Sequence, residues 1–271
     1  MGECMNIGIF DSLPMWGIYI GMTLTLLLSF EVGYQISNYT AVHDDKEGFN
    51  STGPMVGGLL AMLAFVLAFT FSMASSQHNL RKVNVLKEAN IIGTAYLRAD
   101  LIGDRDETKI KHLIKEYVDI RLYAIQMGMA GINRDIVKKS LTRSVEIQEK
   151  LWAQASSVSK KEPNINTGLF VQSINDIIDV HQKRVTAGLY NRIPSSVLLV
   201  LLTISILTMM TMGSQAKLAK SRRLTALIPL ILAFTALTTV VIDLDRPFEG
   251  MITVGQEAMI DLQSSLNRTS K

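Results

Sequence analysis

The 271-residue chain has one cysteine, two tryptophans, six prolines and four histidines, and only 19% of its residues are charged against 48% hydrophobic. A lone Cys4 cannot close an internal disulfide, which excludes a secreted disulfide scaffold. So little charge excludes an ordinary soluble domain of this size, in which charged residues reach about a quarter. A net charge of +3 is too small for a nucleic-acid binder, and no nucleic-acid partner is expected. The chain carries no Gly-rich phosphate loop, GxSxG elbow, HExxH pair or EF-hand loop. His43, His78, His112 and His181 have no i,i+4 partner, and no Cys/His spacing suits zinc. The expectation is therefore no enzyme, no metal site and no cofactor.

What is present is apolar sequence in four runs: Met15 to Ile36, Pro54 to Ser75, Ile193 to Gly213 and Leu224 to Leu244. Each is about 20 residues, enough to cross a hydrocarbon core of about 30 Å at about 1.5 Å per helical residue. Only Glu31 interrupts the first run, toward its outer end, where snorkelling and an ion path explain it equally well. No basic residue precedes that run, so it does not read as a cleavable signal peptide. Pro54 is expected at a helix start.

Between the second and third runs, residues 76–192 hold 19 of the 27 basic residues and 13 of the 24 acidic ones. Lys and Arg near span ends are retained inside, which predicts a bacterial inner-membrane protein with this block and both termini cytoplasmic. The predicted organisation is an N-terminal segment (1–14), membrane helices 1 and 2 (15–75), a cytoplasmic helical domain (76–192), membrane helices 3 and 4 (193–244) and a cytoplasmic C-terminal segment (245–271). Lys217, Lys220, Arg222 and Arg223 crowd the third-to-fourth loop, which four spans put outside, and they are candidates for a charged pore mouth.

The central block reads as helices. Val85, Ala89, Ile92 and Tyr96 continue the second run into one long helix, ended by Gly103. Asp104 and Glu107 predict a capping box for the next helix, whose seam is Ile110, Leu113, Tyr117, Ile120, Ala124 and Met127. A helix opened by Asn133 carries Val137, Leu141, Val145, Gln148, Trp152 and Ala155, with Trp152 as a packing anchor. After a linker at 160–166 with Pro163, a further helix carries Phe170, Ile174, Ile177, His181 and Val185, with His181 as a satisfied core histidine.

The second run is the informative one. At 100° per residue, Gly58, Ala61, Phe65, Ala68, Phe69 and Ser72 share one sector, while Leu59, Leu63, Val66, Leu67 and Thr70 occupy the opposite face, which suits lipid. Two readings of the small-and-Phe face stand side by side. It is either a tight helix-helix interface, or a surface that several subunits arrange around an axis, with Phe65 and Phe69 forming a hydrophobic constriction that gates by dewetting.

The stretch LLAMLAFVLAFTFSMASSQHNLRK (59–82) resembles the pore-lining second helix of bestrophins, with Phe65-Val66-Leu67-Ala68-Phe69 at the neck. EANIIGTAYLRADLI (88–102), LWAQA (151–155), RIPSSV (192–197) and DLDRPFEGMI (243–252) resemble the bacterial bestrophin-like family, over about residues 55 to 262. The resemblance implies an all-α membrane protein with four transmembrane helices per subunit and a helical cytoplasmic domain. It further implies a homo-oligomer, a pentamer, around an axial pore whose neck is Ala61, Phe65 and Phe69. Bestrophins conduct ions, so the partners implied are the lipid bilayer and small inorganic ions, chloride or another anion. The segment SSQHNLRK lacks the tryptophans of bestrophins, and the acidic run of the animal calcium clasp is missing. The alternative expectation is a non-conducting membrane-anchored helical interaction or signalling protein.

Overall fold

A computed structural model of the chain describes residues 13–40, 49–129, 134–218, 224–247 and 250–268. The described residues are mostly helical, with no strand among them. The helices are α1 (Met15–Thr40), α2 (Phe49–Ala99), α3 (Asp104–Met129), α4 (Arg134–Lys161), α5 (Ile165–Val185), α6 (Ser195–Leu218), α7 (Leu224–Asp245) and α8 (Glu257–Arg268). A π-helical turn, Thr186–Tyr190, follows α5. The chain divides into two compact units, at Gln77/His78, Asn191/Arg192 and Arg246/Pro247. One holds α1, the first part of α2, α6 and α7. The other holds the rest of α2, α3 to α5, the π turn and α8.

The first unit contains the apolar runs. Four stretches are long and apolar enough to cross a membrane: Met15–Ser37, one within Gly53–Ala99, one within Ile165–Lys217, and Leu227–Asp245. Along α1, Trp16, Ile20, Leu24, Leu28, Val32 and Ile36 stay exposed at steps of four. The other side of α1 packs along α6 and α7, where Leu26 and Phe30 meet Met209, Leu227 and Ile231. Two glycines set the closeness of α1 and α6. A Cβ added at Gly33 would overlap the Met210 carbonyl, and one added at Gly213 would overlap the Phe30 carbonyl. The Ser214 hydroxyl donates to the Gly33 carbonyl at 2.9 Å. Small residues make a tight helix interface here, between α1 and α6.

Hydroxyl groups inside these helices donate to carbonyls four residues back: Thr23 to Tyr19, Ser29 to Thr25, Thr70 to Val66, Ser205 to Leu201 and Thr208 to Ile204, all at 2.7–2.8 Å. Such local bonds let polar side chains sit where no water reaches. Pro54 is not at a helix start, because α2 begins five residues earlier.

In the second unit, α2 loosens into i→i−3 turns at Asp100, Leu101 and Ile102 before Gly103. The chain restarts at Asp104, so Gly103 precedes the helix and Asp104 is its first residue. The Asp104 side chain lies outside the described residues, as does Asn133; Glu107 accepts from Lys111 at 2.7 Å. α5 opens on a capping box of Asn164 and Thr167, which shortens the linker to 162–164. The core joins Ile92 and Tyr96 of α2, Ile110, Ile114 and Tyr117 of α3, Ile147 and Leu151 of α4, Phe170, Ile174 and Ile177 of α5, and Met259 and Leu266 of α8.

On α4 the expected seam residues Val137, Gln148 and Ala155 are buried, but two others are corrected. Trp152 is 43% exposed and Val145 is exposed too, so Trp152 is no packing anchor. It lines an open cleft with Gln148, Asn175 and Ile178. The buried stripe runs through Ser140, Ser144, Ile147, Leu151, Ala155 and Val158. Two serines hold seam positions because the Ser144 hydroxyl is satisfied by the Ser140 carbonyl at 2.9 Å.

Candidate functional site

The face of α2 singled out by its small and phenylalanine residues is exposed. Phe65 and Phe69 are 73% and 58% accessible, and Gly58, Ala61, Ala64, Ala68 and Ser72 share their exposure. Four residues of helix set one ring a turn above the other. The opposite face, expected to suit lipid, is instead the one packed inside the unit. Leu63, Leu67 and Ala74 are buried against Ile193, Leu201, Val241 and Leu244, and Thr70 is fully buried. Both faces of α2 are apolar, so hydrophobicity could not separate contact with lipid from contact with protein.

The four basic residues expected at a pore mouth are only partly visible. Lys217 sits at the end of α6 with its ammonium 5.2 Å from the centre of the Tyr34 ring, a cation–π contact. Lys220, Arg222 and Arg223 lie outside the described residues. Glu31 is half-buried, with the Gln35 amide 3.4 Å from its carboxylate.

Two of the sequence motifs meet in the first unit. Asp245 closes α7 and binds the start of the segment leading into α6. Its Oδ1 accepts from the Ile193 amide at 2.8 Å, and its Oδ2 and carbonyl oxygen accept from Arg192 Nη1 at 3.3 and 3.1 Å. The next residue, Arg246, donates to the Leu13 carbonyl at 2.7 Å and so ties the end of α7 to the entry of α1.

Sequence reasoning missed a buried polar cluster in the second unit. Glu88 of α2 is fully buried and lies between two guanidiniums: Arg121 Nε donates to its Oε1 at 3.0 Å, and Arg184 Nη1 donates to its Oε2. The Tyr117 hydroxyl donates to Glu88 Oε1 at 2.9 Å, stands 3.0 Å from His181 Nδ1 and accepts from Gln148 at 3.2 Å. Burial alone would raise the Glu88 carboxyl, but Arg121 and Arg184 outweigh it and hold it down at about 2. Burial, aided by Arg121, pushes His181 down to about 4, so it is neutral at pH 7. His181 is thus the satisfied core histidine its helix position predicts. Burial, and then the Glu88 charge, raise the Tyr117 hydroxyl well above its usual range. The sequence signal for Glu88 was its place between Val85 and Ile92 on an apolar stripe, but its partners are 33 and 96 residues away. Among the described residues, no group of three His, Cys, Asp or Glu could hold a metal ion.

Comparison with known proteins matches these features to one fold. A crystal structure of a variant bacterial bestrophin homolog from Klebsiella pneumoniae superposes with a TM-score of 0.57 at 11% identity, covering 93% of this chain and 97% of that one. Another variant of the Klebsiella pneumoniae homolog gives 0.55 at 13% identity, with 93% and 98% covered. The structure of a membrane protein variant gives 0.59 at 12% identity, with 94% and 98% covered. No curated protein matches the chain. At such identities the structural likeness establishes the fold, and the family follows from the sequence itself. The Bestrophin-like domain matches residues 23–259, from within α1 to the first turn of α8, so the chain belongs to the bestrophin-like family.

Proposed function

We propose that the chain forms a ring of five copies in the bacterial inner membrane, with α2 innermost, and conducts chloride or other small anions through the axis. The observation that carries this reading is the uncovered face of α2. Two phenylalanines one turn apart, flanked by alanine, glycine and serine, face away from the rest of their own unit. A monomer gains nothing by exposing such rings to lipid on its smallest face, whereas a ring of copies turns them into a neck. Ala61, Phe65 and Phe69 are the proposed neck residues, and the number five comes from the resemblance of this stretch to bestrophins. The family and the fold both support a channel-like role.

The chemistry of conduction is one of field and wetting. A narrow apolar neck excludes water until it widens, and phenylalanine edges carry the positive part of the ring quadrupole toward a passing anion. Lys217, Lys220, Arg222 and Arg223 form the proposed mouth, where positive charge raises the local anion concentration. The basic excess of residues 76–192 supports a cytoplasmic side for that block and both termini.

Planar-bilayer recording of purified protein tests the neck. Phe65→Ala with Phe69→Ala is expected to raise single-channel conductance while ring particles persist in electron micrographs. A monomer or dimer by mass photometry, with no current from wild-type protein, would favour a non-conducting membrane-anchored interaction protein instead.

A further inference from the structure

The LWAQA motif (151–155) places a tryptophan where the core of the charged helical unit has no use for it. Leu151 and Ala155 are fully buried, whereas Trp152 is largely uncovered and stands in a cleft of about 290 Å³ between α4 and α5. Val145, Gln148, Glu149 and Trp152 of α4 form one wall, and Asn175 and Ile178 of α5 the other. Steps of three and four put the Glu149 carboxylate and the indole ring on the same face of α4. Lys150 is turned about 100° round the helix from Glu149. All six lining residues, and the helical turn on either side of each, lie among the described residues.

The groups of this cleft are not used up within the chain. Trp152, Glu149 and Asn175 make no side-chain hydrogen bond, ion pair or ring contact among the described residues. Elsewhere the chain does set its own cations on rings: Lys111 lies 5.0 Å from the centre of the Tyr96 ring, and Lys217 5.2 Å from that of Tyr34. Tryptophan is the best cation–π acceptor of the aromatic side chains, yet no lysine or arginine among the described residues stands over Trp152. Gln148 is buried, and its Nε2 donates to the Tyr117 hydroxyl at 3.2 Å, so an acceptor oxygen is what it has left to offer. An aromatic ring, a carboxylate and an amide oxygen thus meet in one cleft, between the aliphatic side chains of Val145 and Ile178.

We infer that this cleft binds a small organic cation of the quaternary ammonium class. Ring quadrupole and carboxylate both attract positive charge, and methyl groups on the cation suit the aliphatic walls. A bare sodium or potassium ion gains less from a ring than it loses in hydration. The volume lies at the lower end of small-molecule pockets, which run to about 300–1,000 Å³, and so suits a ligand of the size of choline. The site belongs to the charged helical unit alone, and it stands whether or not the protein conducts.

Trp16→Phe leaves Trp152 as the sole tryptophan, so indole fluorescence reports on the cleft directly. Choline chloride is titrated into the full-length Trp16→Phe protein in a nonionic detergent, with sodium chloride holding the ionic strength constant. A saturable change in Trp152 emission is expected, with half-saturation at about 1 mM, as befits one ring and one carboxylate. Potassium chloride in place of choline is expected to give none. Glu149→Gln, at an exposed position, should raise the half-saturation about five-fold or more. The neutral isostere of choline, with a tert-butyl group in place of trimethylammonium, should bind more weakly by a similar factor, and this comparison decides even if the variant fails to fold. No saturable change, the same half-saturation after Glu149→Gln, or equal binding of the neutral isostere would overturn the assignment.

Discussion

Glu88 concentrates the consequences of burial in one side chain. Replacing it with glutamine leaves Arg121 and Arg184 buried without their shared counter-charge, which costs about 3–5 kcal/mol when one member of a buried pair is removed. In a Trp16→Phe background the remaining Trp152, on α4 of the charged helical unit, reports unfolding of that unit by fluorescence. Glu88→Gln is expected to lower the midpoint of thermal or denaturant unfolding strongly in this assay. An unchanged midpoint would mean that the arginines find other compensation.

Acid acts on the same cluster through two groups. Folding holds Glu88 at about 2 against an ordinary 4.5, and His181 at about 4 against 6.5. In both cases the unfolded chain takes up a proton that the folded chain refuses, so stability falls as pH falls. His181 accounts for the loss from about pH 6.5 to 4, and Glu88 for the loss from about 4.5 to 2. His181→Gln should flatten the upper part of a midpoint-versus-pH curve and leave the lower part in place. Loss of both parts together would show that the histidine supports Glu88 rather than titrating independently. Tyr117, Gln148 and His181 stood on helix seams read from the sequence, but Glu88 and its arginines were not legible, because a glutamate in Leu-Lys-Glu-Ala-Asn looks like any solvated helix residue until the distant arginines are brought to it.

At the scale of elements, the existence of the helices was plain from run length and period, but the choice of buried face was not always so. On α5 the expected residues Phe170, Ile174, Ile177 and His181 are buried, because polar residues mark the other side. On α4 Val137, Gln148 and Ala155 are buried as expected, but Ser140 and Ser144 also occupy buried positions while Val145 and Trp152 are exposed. On α2 both faces are apolar, and the leucine face packs inside while the phenylalanine face is left open. Hydrophobicity sorts faces only where the alternative is water; beside lipid, size and shape decide.

The closest approach in the first unit lay at glycines that the sequence did not single out. Gly33 and Gly213 are where α1 and α6 meet backbone to backbone. Gly213→Leu should force these helices apart, with markedly lower yield of monodisperse protein on size-exclusion chromatography. Gly57→Leu, at a position whose added Cβ meets nothing in its own chain, should leave the folded subunit intact. Equal damage from both would argue that the Gly57 face is also packed by protein.

At the scale of the whole molecule, the mouth proposal predicts a change in selectivity rather than in stability. Reversing the charge of Lys217, Lys220, Arg222 and Arg223 together should shift the reversal potential in asymmetric salt toward cations. An unchanged potential would remove these residues from the conduction path. The fold and family were legible from motifs scattered along the chain, whereas the proposed ring is a property of copies, for which one chain offers only an uncovered surface.

The pairing of Gly33 with its α6 partners also bears on how the protein is made. Gly33 and Ser214 are 181 residues apart, and α1 must reach the membrane long before α6 exists. At about 5–20 residues per second the ribosome needs about 10–35 s to close that gap. During this interval α1 waits with its glycine notch unfilled while the charged helices between are being synthesised. Until α6 arrives the notch lacks its native cover, and a chain truncated after α2 is expected to crosslink at Gly33 to a neighbour that the full-length chain does not capture there.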